Sequence, residues 1–175
     1  MKLGKIGLVI ASLLVASFIG GCGSDDTAAK ELTKEESTYV AFVGLPIGST
    51  LDDAKKALGN ECEIVSENNN SQIYKWKAGD GSVRAEFENG TLVRKNNTIA
   101  SKLYKGDLYV TMEQFNEIQK GQTYDKVSGI IGRGGALVTE KKDVKIYIWS
   151  NPDESCAQVH FKNGFVSSKQ SFRLK

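Results

Sequence analysis

Ile47-Gly48-Ser49-Thr50-Leu51-Asp52 and Lys120-Gly121-Gln122-Thr123-Tyr124-Asp125 stand 73 residues apart and share one plan. Each has a glycine that permits a sharp turn, then a threonine placed to cap a helix, then a large side chain and an aspartate. The same offset pairs Leu58-Gly59 with Ile131-Gly132, Tyr74 with Tyr147 and Trp76 with Trp149. One inserted residue later, at an offset of 74, Phe87 meets Phe161 and Asn89-Gly90 meets Asn163-Gly164. Both tryptophans of the chain therefore fall on equivalent positions, and so ordered a self-match marks a tandem repeat.

Each copy has a physical reading. In the second, Thr111 with Gln114 forms a capping-box pattern for a short helix that Gly121 ends. Thr123 caps the next helix, whose Val127, Ile130 and Ile131 recur at helical spacing before Gly132 stops it. Strands follow at 145–149, 157–161 and 166–174, the last entered through the tight-turn pair Asn163-Gly164. The first copy predicts a short helix near Tyr39–Leu45, a capped helix Leu51–Leu58, and strands near 62–66, 72–77, 82–88 and 91–96. The expected fold is α+β: two tandem helix-helix-antiparallel-sheet repeats, over residues 39–97 and 111–175, forming a concave sheet with helices on the other face. Residues 98–110 connect them and are expected to extend partly along a sheet. Alternation turns Val83, Ala85, Phe87, Ala157, Val159 and Phe161 toward the helices, leaving Ser82, Arg84, Glu86, Gln158, His160 and Lys162 opposite.

Upstream, Lys2 and Lys5 precede an apolar run, Ile6 to Ile19, too short for a comfortable membrane span. Residues 1–21 read as a signal peptide. Residues 22–38 are small, polar and charged, and read as a tether unable to bury enough surface to fold, with Leu32–Ser37 either part of it or a partial helix. Removing Lys2 and Lys5 leaves 23 − 2 = 21 basic residues against 21 acidic ones, so the remaining chain is formally neutral. With no cluster of basic and aromatic residues, nucleic acid is excluded as a partner. The chain has three cysteines. In an exported protein Cys62 and Cys156 are either bridged, tying the two halves together, or buried as free thiols.

The four residues Ile19-Gly20-Gly21-Cys22 resemble the lipobox of bacterial lipoproteins. That resemblance implies cleavage before Cys22, lipid on its sulfur and amine, and retention at the extracytoplasmic face of the cell membrane. Two or three acyl chains make such an anchor stable where one is marginal.

The pattern Phe115-Asn116-x4-Gly121-x-Thr123-x3-Val127-x4-Gly132-x-Gly134 and the ending Phe161-x2-Gly164-x4-Lys169-x2-Phe172-x-Leu174 resemble the β-lactamase inhibitory protein family. The resemblance spans about residues 40–174, including Asn60-Glu61-Cys62. It implies a protein partner, in its sharpest form a β-lactamase or related penicillin-binding enzyme, and places Asp80 on a loop that enters such a partner. The chain departs from the pattern in several places. Ile73 and Ala136 stand where cysteines are expected, and Cys156 matches none. Arg84 and His160 replace aromatic residues on the concave face, while Phe172 keeps one. The turn Asn151-Pro152-Asp153-Glu154-Ser155 lacks the aromatic of the second loop.

Candidate partner-binding residues follow. Asp80 either presents a carboxylate to the partner or serves the Ala-Gly-Asp-Gly turn. Tyr74, Trp76, Tyr147 and Trp149 form either an exposed aromatic stripe or core. Ile146 and Ile148 argue for Tyr147 and Trp149 outside, whereas Lys75 and Lys77 argue for Trp76 inside. Arg84, His160 and Phe172 complete the set. With His160 the single histidine, neither a His-based metal cluster nor a Ser-His-Asp arrangement can be assembled, and no metal or cofactor is expected. Ile131-Gly132-Arg133-Gly134-Gly135 follows a helix rather than a strand and lacks a phosphate-loop ending. The chain thus reads as a binding module rather than an enzyme. The alternatives are a cell-wall glycan or small-molecule binder and a structural envelope-assembly lipoprotein.

Overall fold

The computed structural model describes residues 31–103 and 108–175. The signal segment, Cys22 and the start of the tether lie outside the described residues. The first helix, α1 (Lys34–Gly44), begins before the expected Tyr39. Thr33 accepts from the Glu36 N–H while the Glu36 carboxylate accepts from the Thr33 N–H at 2.8 Å, a closed capping box. The end of the expected tether is therefore helical. A second box, Thr50 with Asp53, opens α2 (Leu51–Leu58), and its hydrogen bonds hold the Asp53 carboxyl below the usual range.

Four strands follow: β1 (Glu63–Glu67), β2 (Ser71–Ala78), β3 (Gly81–Glu88) and β4 (Thr91–Asn97). A short helix, α3 (Ala100–Leu103), occupies the connector where a sheet extension was expected. The second copy repeats the order with α4 (Met112–Glu117), α5 (Tyr124–Ile131), β5 (Ala136–Lys141), β6 (Val144–Ser150), β7 (Cys156–Lys162) and β8 (Phe165–Phe172). Thr111 and Thr123 cap its helices and Gly132 ends α5 with φ +84°. Asn89-Gly90 and Asn163-Gly164 all have positive φ, as two-residue hairpin turns of type I′ require.

Among the described residues the eight strands form one antiparallel sheet in chain order, β1 to β8. The repeats join where β4 pairs with β5 through Arg94↔Lys141, Lys95↔Glu140 and Asn96↔Thr139. Each repeat fastens its second helix to its last strand in the same way. The Gly48 N–H donates to Leu92 O and the Gly121 N–H to Val166 O, while Leu92 and Val166 donate back to Ser49 and Gln122. These exchanges require φ of +96° at Gly48 and +89° at Gly121, a region open to glycine.

Two apolar clusters lie between sheet and helices. Tyr39, Phe42, Ala54, Trp76, Val83, Ala85 and Phe87 build the first, and Phe115, Val127, Ile131, Trp149, Ala157, Val159 and Phe161 the second. The inward alternation of β3 and β7 is as the sequence predicts. Among the described residues no helix is long and apolar enough to cross a membrane.

Candidate functional site

Strand register carries one row of side chains across the uncovered face: Lys75, Arg84, Asn96, Thr139, Ile146, His160 and Ser168, each paired with the next. A parallel row runs Ile73, Glu86, Arg94, Lys141, Val144 and Lys162. With Lys77, the face carries six basic groups (Lys75, Lys77, Arg84, Arg94, Lys141, Lys162) against Glu63, Glu86 and Glu88. A chain whose formal net charge is only +2 thus concentrates basic groups on this face.

The charges are unevenly compensated. Lys75 pairs with Glu63 at 2.9 Å, which holds the Glu63 carboxyl below its ordinary range. Arg84 and Arg94 are exposed and make no ion pair among the described residues. Together with Ile73, Glu86 and Asn96 they line a hollow of about 220 Å³. Sequence reading found Arg84 but missed Arg94, because a bulge between Glu86 and Phe87 shifts the parity of β4.

On the second repeat, His160 Nε2 lies 2.8 Å from Gln158 Nε2 and 3.5 Å from Gln170 Nε2. Two amide groups at one ring nitrogen suit donation to a neutral imidazole, and partial burial pushes the His160 pKa down. Phe172 lies on the same face, 51% exposed, with the Arg173 guanidinium 4.9 Å from its ring centroid.

Two loops border this face at the same end of the sheet. In the β2–β3 turn, Gly79 has φ +52°, and the Glu35 side chain of α1 occupies the place of a Cβ. Asp80 at the tip is almost fully exposed, 3.9 Å from Lys102. In the β6–β7 loop, Asn151 donates to Val110 O and accepts from the Val110 N–H. Arg133 Nε donates to Leu108 O at 3.0 Å. These bonds hold the connector so that Leu108 and Tyr109 are exposed beside that loop. An aromatic side chain therefore stands near the loop whose own residues lack one. No sequence signal pointed to it.

The aromatic stripe requires correction. Trp76 and Trp149 are 1% and 0% exposed, Tyr74 is buried and Tyr147 is half-buried against both clusters. The register pairs Tyr147 with Val159 and Trp149 with Ala157, both on the helix side, so Ile146 and Ile148 face the other way. The indole N–H groups donate to Gly59 O and Arg133 O at 2.7 and 2.9 Å, satisfying the polar edge of each buried ring. The bridge between Cys62 and Cys156 is also overturned, since both are free thiols. Cys62 precedes β1 at one edge and Cys156 opens β7; six strand spacings amount to roughly 29 Å along the sheet.

The described residues thus form a tandem-repeat α+β fold with one sheet, helices packed on one side and a basic surface on the other. The family model described as beta-lactamase inhibitor (BLIP) matches residues 38–143 and again residues 111–175, and the chain belongs to that family. A Streptococcus mutans protein provisionally assigned as a beta-lactamase inhibitor shares the fold, with a TM-score of 0.65 and 15% identity over 82% of this chain and 100% of its own. No curated protein matches in sequence.

Proposed function

We propose that the chain is an extracytoplasmic lipoprotein, anchored through Cys22, whose uncovered sheet face and end loops bind a protein. A β-lactamase or a related penicillin-binding enzyme is the partner class, and the chain acts as its inhibitor or sensor. Family membership supports the partner class. The observation that carries the choice of surface is the pair of exposed guanidinium groups at the middle of that face, Arg84 and Arg94, which make no ion pair among the described residues. Arginine is enriched at protein interfaces, and an uncompensated charged surface steers a complementary partner into register. Asp80, Tyr109 and Phe172 border it with a protruding carboxylate and two exposed rings.

The test titrates the full chain against purified serine β-lactamases and penicillin-binding enzymes, reading nitrocefin hydrolysis and direct binding. Saturable binding that the double variant Arg84→Glu/Arg94→Glu weakens at least about tenfold supports the reading. Binding to neither enzyme class sinks it, as does binding that the double variant leaves intact.

A further inference from the structure

The two repeats differ at one polar chain on the helix side of the sheet. In the first repeat, Gln72 donates to Glu67 at 2.6 Å and its carbonyl oxygen accepts from the Tyr74 hydroxyl at 3.3 Å. The equivalent residues of the second repeat are Glu140, Lys145 and Tyr147. Lys145 reaches Glu140 at 3.0 Å but, being a lysine, has no acceptor to offer. The Tyr147 hydroxyl is left with no hydrogen-bond partner among the described residues. Beside it opens a pocket of about 200 Å³. Its apolar wall is Tyr124, Tyr147 and Phe161, with the Tyr124 and Tyr147 ring centroids 4.5 Å apart. Its rim is Lys142, Asp143, Lys145 and the Asn163-Gly164 turn.

We infer that this pocket binds one pyranose ring of a glycan. Aromatic walls with a few convergent polar groups are the usual make-up of a small-ligand site. The volume corresponds to roughly seven waters, enough for a single sugar ring. The rim decides the class: an anion would meet Asp143, and a cation would meet Lys142 and Lys145. A neutral polyol uses both the donors and the acceptor Asn163 and Asp143 supply, and its hydroxyl oxygens can accept from Tyr147. The site lies across the sheet from the proposed protein-binding face and does not depend on it.

The test uses the full chain with N-acetylglucosamine and its β-1,4-linked trimer, read by saturation-transfer NMR and calorimetry. Binding of both is expected, with Tyr147→Phe weakening it about fivefold through loss of one neutral hydrogen bond. Lys145→Gln, which restores the acceptor present in the first repeat and removes the Lys145 donor from the rim, is expected to weaken binding at least as much, while Glu140 keeps Lys95 as a partner. Arg84→Glu, on the opposite face of the sheet, is expected to leave sugar binding unchanged. Binding of neither sugar, or binding that Lys145→Gln leaves unchanged in a folded protein, overturns the inference.

Discussion

Lys95 and Lys169 occupy equivalent places in the two repeats, each holding its ammonium over the ring of a first-helix phenylalanine. The distances to the ring centroids are 4.8 Å for Lys95 over Phe42 and 4.4 Å for Lys169 over Phe115. Each lysine also donates to the backbone carbonyls that end its helix, Phe42 and Leu45 in the first repeat and Phe115 and Asn116 in the second. A cation at a helix C-terminus satisfies orphan carbonyls and complements the helix dipole. The copies diverge in burial. Lys95 is 0% exposed and adds Glu140 at 3.0 Å, across the seam between repeats. Burial pushes its pKa down, and Glu140 opposes that.

Lys95→Ala should therefore destabilise the protein by about 3 kcal/mol, since it removes one partner of a buried pair and leaves the end of α1 unsatisfied. Lys169→Ala, at the less enclosed site, should cost about 1 kcal/mol. Urea midpoints with unchanged m-values check both. Equal effects would contradict the special role of the seam.

Such a lysine is hard to read from sequence, because its partners are carbonyls some fifty positions away and isolated lysines are normally exposed. The repeat itself was legible. Its markers are residues with special backbone needs, such as Asn-Gly turns and threonine caps, and they keep their spacing whatever the tertiary context. The face of β6 was not legible. Ile146 and Ile148 alternate with Tyr147 and Trp149, so both faces of the strand are apolar and a period of two has no sign. Only the register against β7 resolves it. The open face was half legible: clean alternation exposed Arg84 and His160, whereas the bulge in β4 hid Arg94. Tyr109 was illegible because hydrogen bonds to Asn151 and Arg133, distant in sequence, set its place.

Gly135→Ala should destabilise the protein by about 1–3 kcal/mol, because a Cβ there would lie 2.6 Å from the Trp149 ring. That indole is rigid, buried and hydrogen-bonded, so it has little room to retreat. Thermal unfolding gives the cost. Partner affinity of the folded fraction should be unchanged, because Trp149 belongs to the core; a loss of affinity at constant stability would return it to the binding surface.

Tyr147 makes stability fall at high pH. Burial, with Tyr124 and Glu140 nearby, pushes its phenol from the ordinary 10 up to about 12. The unfolded chain ionises first, so it binds fewer protons between pH 10 and 12 and gains relative to the folded state. The contribution is fully present below pH 10 and is lost as pH rises through 12. Urea unfolding across that window should show a shallower decline for Tyr147→Phe than for the unaltered protein. Parallel curves would show that the phenol is not held neutral.

The cysteines give a direct covalent check on the sheet order. Cys62 and Cys156 lie too far apart along the sheet for the Cα separation of a disulfide, at most about 6.8 Å. Unfolding in an alkylating reagent without reductant should label both, read by peptide mass. In the folded protein Cys156 should react slowly at pH 8, because burial pushes its thiol up and the thiolate is the reactive form. Recovery of a Cys62–Cys156 cross-linked peptide would require β1 and β7 to curl together. That would be incompatible with an uncovered face wide enough to receive a protein.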